Sequence, residues 1–231
     1  MLTFTNFFNN LFLQSNCPLC DRSTPAEFCP GCIKQLQKSQ LAKPAIGWGG
    51  EIPVFAWGSY GGSLKRAIGV MKYQKQSQIA RPLGRWLGES WLLYSPLMPL
   101  QLIAVPIPLH PNREKERGFN QAALIAKSFS ETTGLKFKPN GLQRIKNTEA
   151  QYQVSQDKRD KNLSDAFSIG TDFRNLPKIP VLLVDDIYTT GATAKSAIKT
   201  LNQAGISVVG IVTVATGNSE KYTKNSWASQ G

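Results

Sequence analysis

The sequence contains few acidic residues and no long apolar run. Its 231 residues include 27 Lys and Arg but only 15 Asp and Glu, which gives a formal net charge of +12. This imbalance favours anionic partners, such as phosphorylated substrates, nucleic acids or acidic surfaces, without choosing among them. No apolar run approaches the ~20 residues that a membrane-spanning helix needs, so we expect no membrane span.

The beginning of the sequence lacks the features of a secretion signal. Residues 1–17 are apolar and aromatic, but they contain no basic stretch and no small-residue cleavage pattern. Their apolar side chains can share one face of a helix, which we expect to dock on the rest of the fold. We therefore expect a cytoplasmic protein.

Histidine, the usual acid–base residue, occurs once. His110 stands between Pro108 and Pro111 with no identifiable partner, so we assign it no catalytic role. No other residue stands out as a general base. The sequence thus leaves the catalytic residues unknown.

Cysteine is confined to one cluster near the start of the chain. Cys17 and Cys20 form one CxxC pair, and Cys29 and Cys32 form a second pair after eight intervening residues. This spacing brings four thiolates to one tetrahedral point, as a structural Zn²⁺ ion requires. Disulfide bonds are the alternative, which the lack of a secretion signal disfavours. Four thiolates would leave no open coordination position, so we expect the metal to stabilise the fold.

Residues 179–193, IPVLLVDDIYTTGAT, are the most informative stretch of the sequence. The apolar run 181–184 predicts a strand that is covered on both faces in a parallel sheet. Asp185 and Asp186 follow where we expect the strand to leave the sheet, at the edge where open α/β sheets bind ligands. A helix is predicted from about residue 194 to residue 204.

Small hydroxyl residues and a glycine precede that helix. Amide groups at a helix N-terminus, together with hydroxyl donors, bind phosphate, and two neighbouring carboxylates suit ribose hydroxyls and Mg²⁺. The stretch therefore predicts a sugar phosphate site, and it looks like the ribose-5-phosphate loop of type I phosphoribosyltransferases. An ordinary buried strand with a helix cap is the alternative. The phosphate-binding candidates are Thr189, Thr190, Gly191, Ala192 and Thr193.

Two basic segments could hold a diphosphate near this edge. Arg113, Lys115 and Arg117 follow the predicted strand 102–106, and prolines predict an irregular exit from the sheet there. Residues 142–165 are polar and basic, and we expect them to form a mobile loop over a polyanionic site. A solvated surface loop is the alternative in both cases. The cations of the second segment are Arg144, Lys146, Lys158, Arg159 and Lys161.

The remaining periodicities predict alternating strands and helices. Strands are expected at 53–60, 166–169 and 207–215, and helices around 64–71, 78–94 and 120–134. We expect Trp86 and Trp91 to lie in the core, with a base-stacking platform as the alternative. The pattern is that of an α/β protein.

These motifs resemble the competence-protein ComF family, also described as amidophosphoribosyltransferase-like or GntX-type proteins, over nearly the whole chain. The resemblance implies an α/β fold with a type I phosphoribosyltransferase-like parallel sheet and a small N-terminal zinc-binding segment. The matching motifs are CPLC, CPGC, SLKRAIGVMKY, VPIPLHPNREKERGFNQ, LQRIKNTEAQ, KRDKN and VLLVDDIYTTGAT.

The resemblance also implies roles and boundaries. Residues 1–45 would form the N-terminal helix and zinc-binding segment, and residues 46–231 the phosphoribosyltransferase-like domain. Asp185 and Asp186 would bind the ribose of phosphoribosyl pyrophosphate with Mg²⁺, and residues 108–117 would lie on the pyrophosphate side. Relatives of this kind are associated with natural transformation.

Three functions remain open on the sequence alone. The first is a phosphoribosyltransferase with an unknown acceptor. The second is a DNA-uptake factor that binds single-stranded DNA or competence-machinery proteins and keeps the ligand site as a sensor or structural remnant. The third is a regulatory protein that uses the fold without turnover.

Overall fold

A five-stranded parallel sheet lies at the centre of the structure, a computed structural model that describes residues 15–97, 101–146 and 166–217. The strand order is β3–β9–β8–β4–β5, and every neighbouring pair is parallel. This arrangement confirms the predicted fold class. The strands are β3 (Val54–Ser59), β4 (Ile103–Pro106), β5 (Lys136–Phe137), β8 (Val181–Tyr188) and β9 (Val208–Thr216).

Short strands and six helices complete the described fold. Two antiparallel pairs are formed by β1 (Ser15–Asn16) with β2 (Ser23–Thr24) and by β6 (Leu142–Arg144) with β7 (Phe167–Ile169). The helices of the described residues are α1 (Pro30–Gln37), α2 (Gly62–Tyr73), α3 (Ala80–Tyr94), α4 (Pro111–Arg117), α5 (Gln121–Thr133) and α6 (Ala192–Gln203), with 3₁₀ turns at Ser77–Ile79 and Thr171–Phe173.

The central strand is apolar on both faces because each face is covered by a different layer. Leu182 and Val184 pack with α2, α3 and α5 on one side of the sheet. Val181 and Leu183 pack with α6 and with the β6–β7 pair on the other. All four side chains are fully buried. This is the reason why the run shows no polar alternation.

Strand β8 continues four residues beyond the predicted run 181–184. Its pairing with β4 ends at Val184, but its pairing with β9 continues through Asp185 to Tyr188. Asp185 and Asp186 therefore lie beyond the pairing with β4 but within the pairing with β9. Helix α6 begins at Ala192, two residues before the predicted start.

Two segments differ in kind from their prediction. Residues 107–110 leave β4 irregularly, as the prolines predicted, but the basic residues that follow are helical, because Pro111 occupies the first turn of α4 and the Nδ1 atom of His110 accepts a hydrogen bond from the Asn112 amide. His110 thus has a structural partner that the sequence did not reveal. Residues 142–144, predicted within a mobile loop, form strand β6, because pairing with β7 buries Leu142 against the sheet.

The cysteine segment packs directly on the main body of the fold. Trp86 of α3 stacks between Phe28 and Trp57, with ring centroids 6.0 and 5.4 Å apart. Trp91 of the same helix is fully buried in the core, as predicted, and Trp86 is half-buried and packs against the core. The boundary between residues 45 and 46 stays a prediction. The predicted N-terminal helix lies outside the described residues.

The helices described here are all too short or too polar to cross a bilayer.

The contact between α3 and α5 generates a stability prediction. A Cβ atom at Gly84 would lie 2.5 Å from the carbonyl oxygen of Ile125 and 2.8 Å from the Cβ atom of Ser128. Gly84→Ala should force the helices apart and lower the free energy of unfolding by about 1–3 kcal/mol. Denaturant unfolding measures the change.

The matched control is Gly69→Ala, in the interior of α2. A Cβ atom there would meet nothing within 4 Å. It should raise the free energy of unfolding by roughly 0.5–1 kcal/mol, because alanine loses less backbone freedom than glycine on folding. If Gly84→Ala and Gly69→Ala changed the free energy of unfolding equally, the close packing of α3 against α5 would be contradicted.

Candidate ligand site at the carboxyl edge of the sheet

The carboxyl ends of β4 and β8 meet at one edge of the sheet. The chain leaves β4 towards α4 and α5, and it leaves β8 towards α6. Parallel strands with helices on both faces place their ligand sites at this edge. The structure thus brings the acidic pair, the phosphate-binding candidates and the basic segment of α4 to the same side of the sheet.

Asp186 is buried at this edge and held by two side chains from different helices. Its Oδ2 atom forms an ion pair with the Nζ atom of Lys72, from α2. Its Oδ1 atom accepts a hydrogen bond of 3.0 Å from Nε2 of Gln121, the first residue of α5. Only 4% of the Asp186 side chain is exposed. The carboxylate therefore has a fixed position.

The electrostatics of the Lys72–Asp186 pair favour the charged form of both groups. Burial would raise the pKa of Asp186, but the charge of Lys72 and the hydrogen bonds from Lys72 and Gln121 lower it below the ordinary value. Burial would likewise lower the pKa of Lys72, but the charge of Asp186 raises it. Each partner thus keeps the other ionised.

Asp185 has a different environment. It is half-buried, and its Oδ1 atom accepts a hydrogen bond of 2.8 Å from the backbone amide of Asp186. Burial raises the pKa of Asp185 well above its ordinary value, and the neighbouring charge of Asp186 raises it further. The two acids are therefore not equivalent: Asp186 is neutralised inside the protein, and Asp185 is the more accessible of the two.

A short connection between α4 and α5 links the basic segment to the acidic pair. Asn120 caps α5 by accepting from the amides of Ala122 and Ala123, and its Nδ2 atom donates to the carbonyl of Ile107 at 3.1 Å. Gln121, held in place by this cap, also accepts a hydrogen bond from Arg117. A continuous polar chain thus runs from Arg117 through Gln121 and Asp186 to Lys72.

Sequence analysis missed Lys72 and Gln121 as site residues. For Lys72 a signal exists, because it continues the apolar stripe of Leu64 and Ile68 at a spacing of four residues, where a buried apolar side chain would be expected. Nothing local marks Gln121, because its contact with Asp186 spans 65 positions in the sequence.

The phosphate-binding candidates form the turn after β8 (residues 189–191) and the first two residues of α6 (Ala192 and Thr193). Gly191 is the N-cap residue of α6 and has a left-handed conformation with φ of 79°. No acidic residue occupies the first turn, and Thr190 Oγ1 accepts only a long hydrogen bond of 3.5 Å from the Ala192 amide. Thr189 and Thr190 are exposed. This helix N-terminus is suited to an anion.

The basic candidates are spread over different surfaces. Arg113 and Arg117 share one face of α4 and are half-buried, but Lys115 is exposed on another face. Arg144 is buried in β6, with its guanidinium carbon 5.5 Å from the ring centroid of Phe167. Arg159 lies outside the described residues, as do Lys158 and Lys161. Of these basic candidates in the described residues, Arg117 is the one that hydrogen bonds connect to the acidic pair, through Gln121.

The four cysteines converge as their spacing predicted. Their sulfur atoms all lie within 4.8 Å of one another, and the Sγ atoms of Cys20 and Cys29 are 3.5 Å apart. A tetrahedral zinc ion with Zn–S bonds of about 2.3 Å needs sulfurs about 3.8 Å apart, which this cluster fits. Hydrogen bonds from the backbone and side chain of Arg22 lower the pKa of Cys20 to about 6. The cluster could hold a metal ion.

Comparison with known proteins agrees with the fold class. Residues 117–231 match the phosphoribosyl transferase domain family. Together with the parallel sheet and the turn that follows its central strand, this match defines a phosphoribosyltransferase-like protein.

Curated relatives identify the family more closely. Competence protein F of Haemophilus influenzae is 29% identical over 222 residues, which are 88% of this chain and 96% of that protein. DNA utilization protein YhgH of Escherichia coli K12 is 28% identical over 84% of this chain and 86% of that protein. These similarities support a ComF-family, phosphoribosyltransferase-like protein. Among solved structures, adenine phosphoribosyltransferase of Leishmania tarentolae is 16% identical over 64% of this chain and 62% of that chain, with a TM-score of 0.39.

The turn before α6 generates a prediction about Gly191. Any Cβ atom there would collide with the Tyr188 hydroxyl and ring, in addition to the strain of a positive φ. Gly191→Ala should lower the midpoint of thermal unfolding clearly. Gly205→Ala is the matched control, because Gly205 has the same φ of 79° but nothing within 4 Å of the added atom. If both variants lost the same stability, the contact with Tyr188 would not constrain the turn.

Proposed function

We propose that this chain binds phosphoribosyl pyrophosphate with Mg²⁺ at the carboxyl edge of the sheet. The observation that carries the proposal is the position of an open helix N-terminus directly after an acidic pair on one central strand. The turn 189–193 would hold the 5-phosphate, as anions bind at helix N-termini. Asp185 and Asp186 would lie next to the ribose hydroxyls, with Asp185 as the carboxylate that meets the ligand.

The diphosphate of the ligand would lie towards α4. Arg113 and Arg117 share the half-buried face of this helix, and Arg117 is already joined to the acidic pair through Gln121. Lys115, Arg144 and Arg159 remain candidates for the same role.

Phosphoribosyl transfer is the reaction that such a site supports. Departure of the diphosphate from C1 leaves positive charge on the ribose and adds negative charge to the leaving group, which fixed cations stabilise. Bound Mg²⁺ would supply further charge stabilisation to the diphosphate. Arg113 and Arg117 would orient the leaving group and neutralise its charge, and Asp185 would hold the ribose while the bond breaks. The acceptor and a general base are not assigned.

The names of the relatives suggest the process that this chain serves. Competence protein F and the DNA utilization proteins lead us to place it in DNA uptake or use, in the cytoplasm, with single-stranded DNA or competence-machinery proteins as partners. No observation among the described residues favours a nucleic-acid-handling or regulatory protein without turnover over a ligand-binding transferase.

Calorimetric titration of the full chain with phosphoribosyl pyrophosphate tests the proposal. Binding should require Mg²⁺, and Asp185→Asn should weaken it at least tenfold, because the accessible carboxylate is lost. Asp185 is preferred to Asp186 for this test because removal of Asp186 would leave Lys72 buried without its counterion.

Glu131→Gln, at the far end of α5, is the control and should bind like the parent protein. Absence of Mg²⁺-dependent binding by the parent protein would overturn the proposal. Release of diphosphate with a panel of bases and amines would then decide whether the bound ligand is turned over.

We also propose that the four-cysteine cluster holds a structural Zn²⁺ ion. The arrangement of the sulfurs supports this assignment, as does the position of Cys17, Cys29 and Cys32 in the same buried cluster as the helices of the main body. All four ligands come from the protein, so the ion would stabilise the fold and take no part in the reaction.

Elemental analysis of freshly purified, reduced protein should find about one zinc per chain. Cys32→Ser should lose the metal and lower the thermal midpoint, because the binding free energy of a structural zinc is part of the folding free energy. Chelation of the parent protein should lower the midpoint in the same way. Zinc far below one per chain would contradict the assignment.

A further inference from the structure

Lys72 is a buried cation at the ligand edge. Its side chain is 17% exposed, and it continues the apolar stripe of α2 behind Leu64 and Ile68. Taking a lysine and a carboxylate out of water carries a large desolvation cost, so an ion pair of this kind is rarely more stable than well-packed apolar residues. Stability of the fold alone therefore gives no reason for a lysine at this position.

The charges around Lys72 give a reason for a lysine at this position. The partner of Lys72 is Asp186, and the same carboxylate is fixed by Gln121. Asp185 adds a second carboxyl group directly before it in the chain. A site that must accept a polyanion would repel it if both carboxylates were left without a counterion. Lys72 supplies that counterion from inside the protein.

We infer that Lys72 is a positioning residue for the ligand. It neutralises and orients Asp186, so Asp185 is the one carboxylate of the pair whose charge the ligand and its metal must balance. The inference rests on the proposed function, because it concerns the same site. It adds a residue from α2, an element that precedes the matched domain at residues 117–231. Lys72 acts through Asp186 and does not touch the ligand.

The Mg²⁺ dependence of ligand binding tests this role. In Lys72→Met the charge of Asp186 is uncompensated, so affinity for phosphoribosyl pyrophosphate at low Mg²⁺ should fall at least tenfold, and the Mg²⁺ concentration for half-maximal binding should rise. Lys72→Arg keeps the charge and should recover most of the affinity. Lys65→Met removes an exposed lysine from the same helix and should change neither quantity.

These outcomes separate the two proposals. If the parent protein fails to bind the ligand, the proposed function is wrong and this inference falls with it. If the parent protein binds but Lys72→Met binds with unchanged affinity and unchanged Mg²⁺ dependence, only the inference is wrong. A loss of affinity that Lys72→Arg does not recover would also overturn it.

A double variant covers the case in which Lys72→Met does not fold. Lys72→Met combined with Asp186→Asn removes both buried charges together and leaves neither unpaired. Because Lys72 acts through Asp186, the double variant should bind the ligand within twofold of Asp186→Asn alone. A further tenfold loss in the double variant would show that Lys72 meets the ligand directly, and would overturn the inference.

Discussion

Burial of strand β8 on both faces is the constraint on which the rest of the structure depends. Its four apolar residues, 181–184, pack against helices α2, α3 and α5 on one side and against α6 on the other. A strand in this position has no polar face, so its charged residues can occur only where the coverage ends. That point is Asp185 and Asp186, where the pairing with β4 has stopped. The location of the site thus follows from the packing of the sheet.

The cysteine segment is connected to this edge through α2. The Ser63 hydroxyl donates to the carbonyl of Gln35 in α1 at 2.8 Å, and the Arg66 guanidinium donates to the carbonyl of Leu19 between the first two cysteines. Both hydrogen bonds are made by α2, whose last turn carries Lys72. The cysteine segment and the acidic pair therefore contact the same helix.

Local patterns predicted the parts of the fold and site that depend on neighbouring residues in the chain. The apolar run at 181–184, the glycine turn at 191 and the spacing of the cysteines each carry their own physical signal, and the structure contains all three. Strand β6 could not be found in this way, because its burial comes from β7, which lies more than twenty positions later. Lys72 was missed for a related reason: its partner is 114 positions away, and only the finished fold brings the two together.

The unequal environments of the two acids follow from their adjacency in one strand. Successive side chains of a strand point to opposite faces, so residues that are neighbours in sequence contact different layers of the fold. Asp186 lies on the face of Leu182 and Val184, where α2 and α5 supply Lys72 and Gln121. Asp185 forms no ion pair with a cation among the described residues, although the charge of Lys72 also acts on it and lowers its pKa against the effects of burial and of Asp186. Two adjacent acids at a strand end thus differ in their environment: Lys72 and Gln121 hold Asp186 inside the protein, and Asp185 is the more accessible of the two.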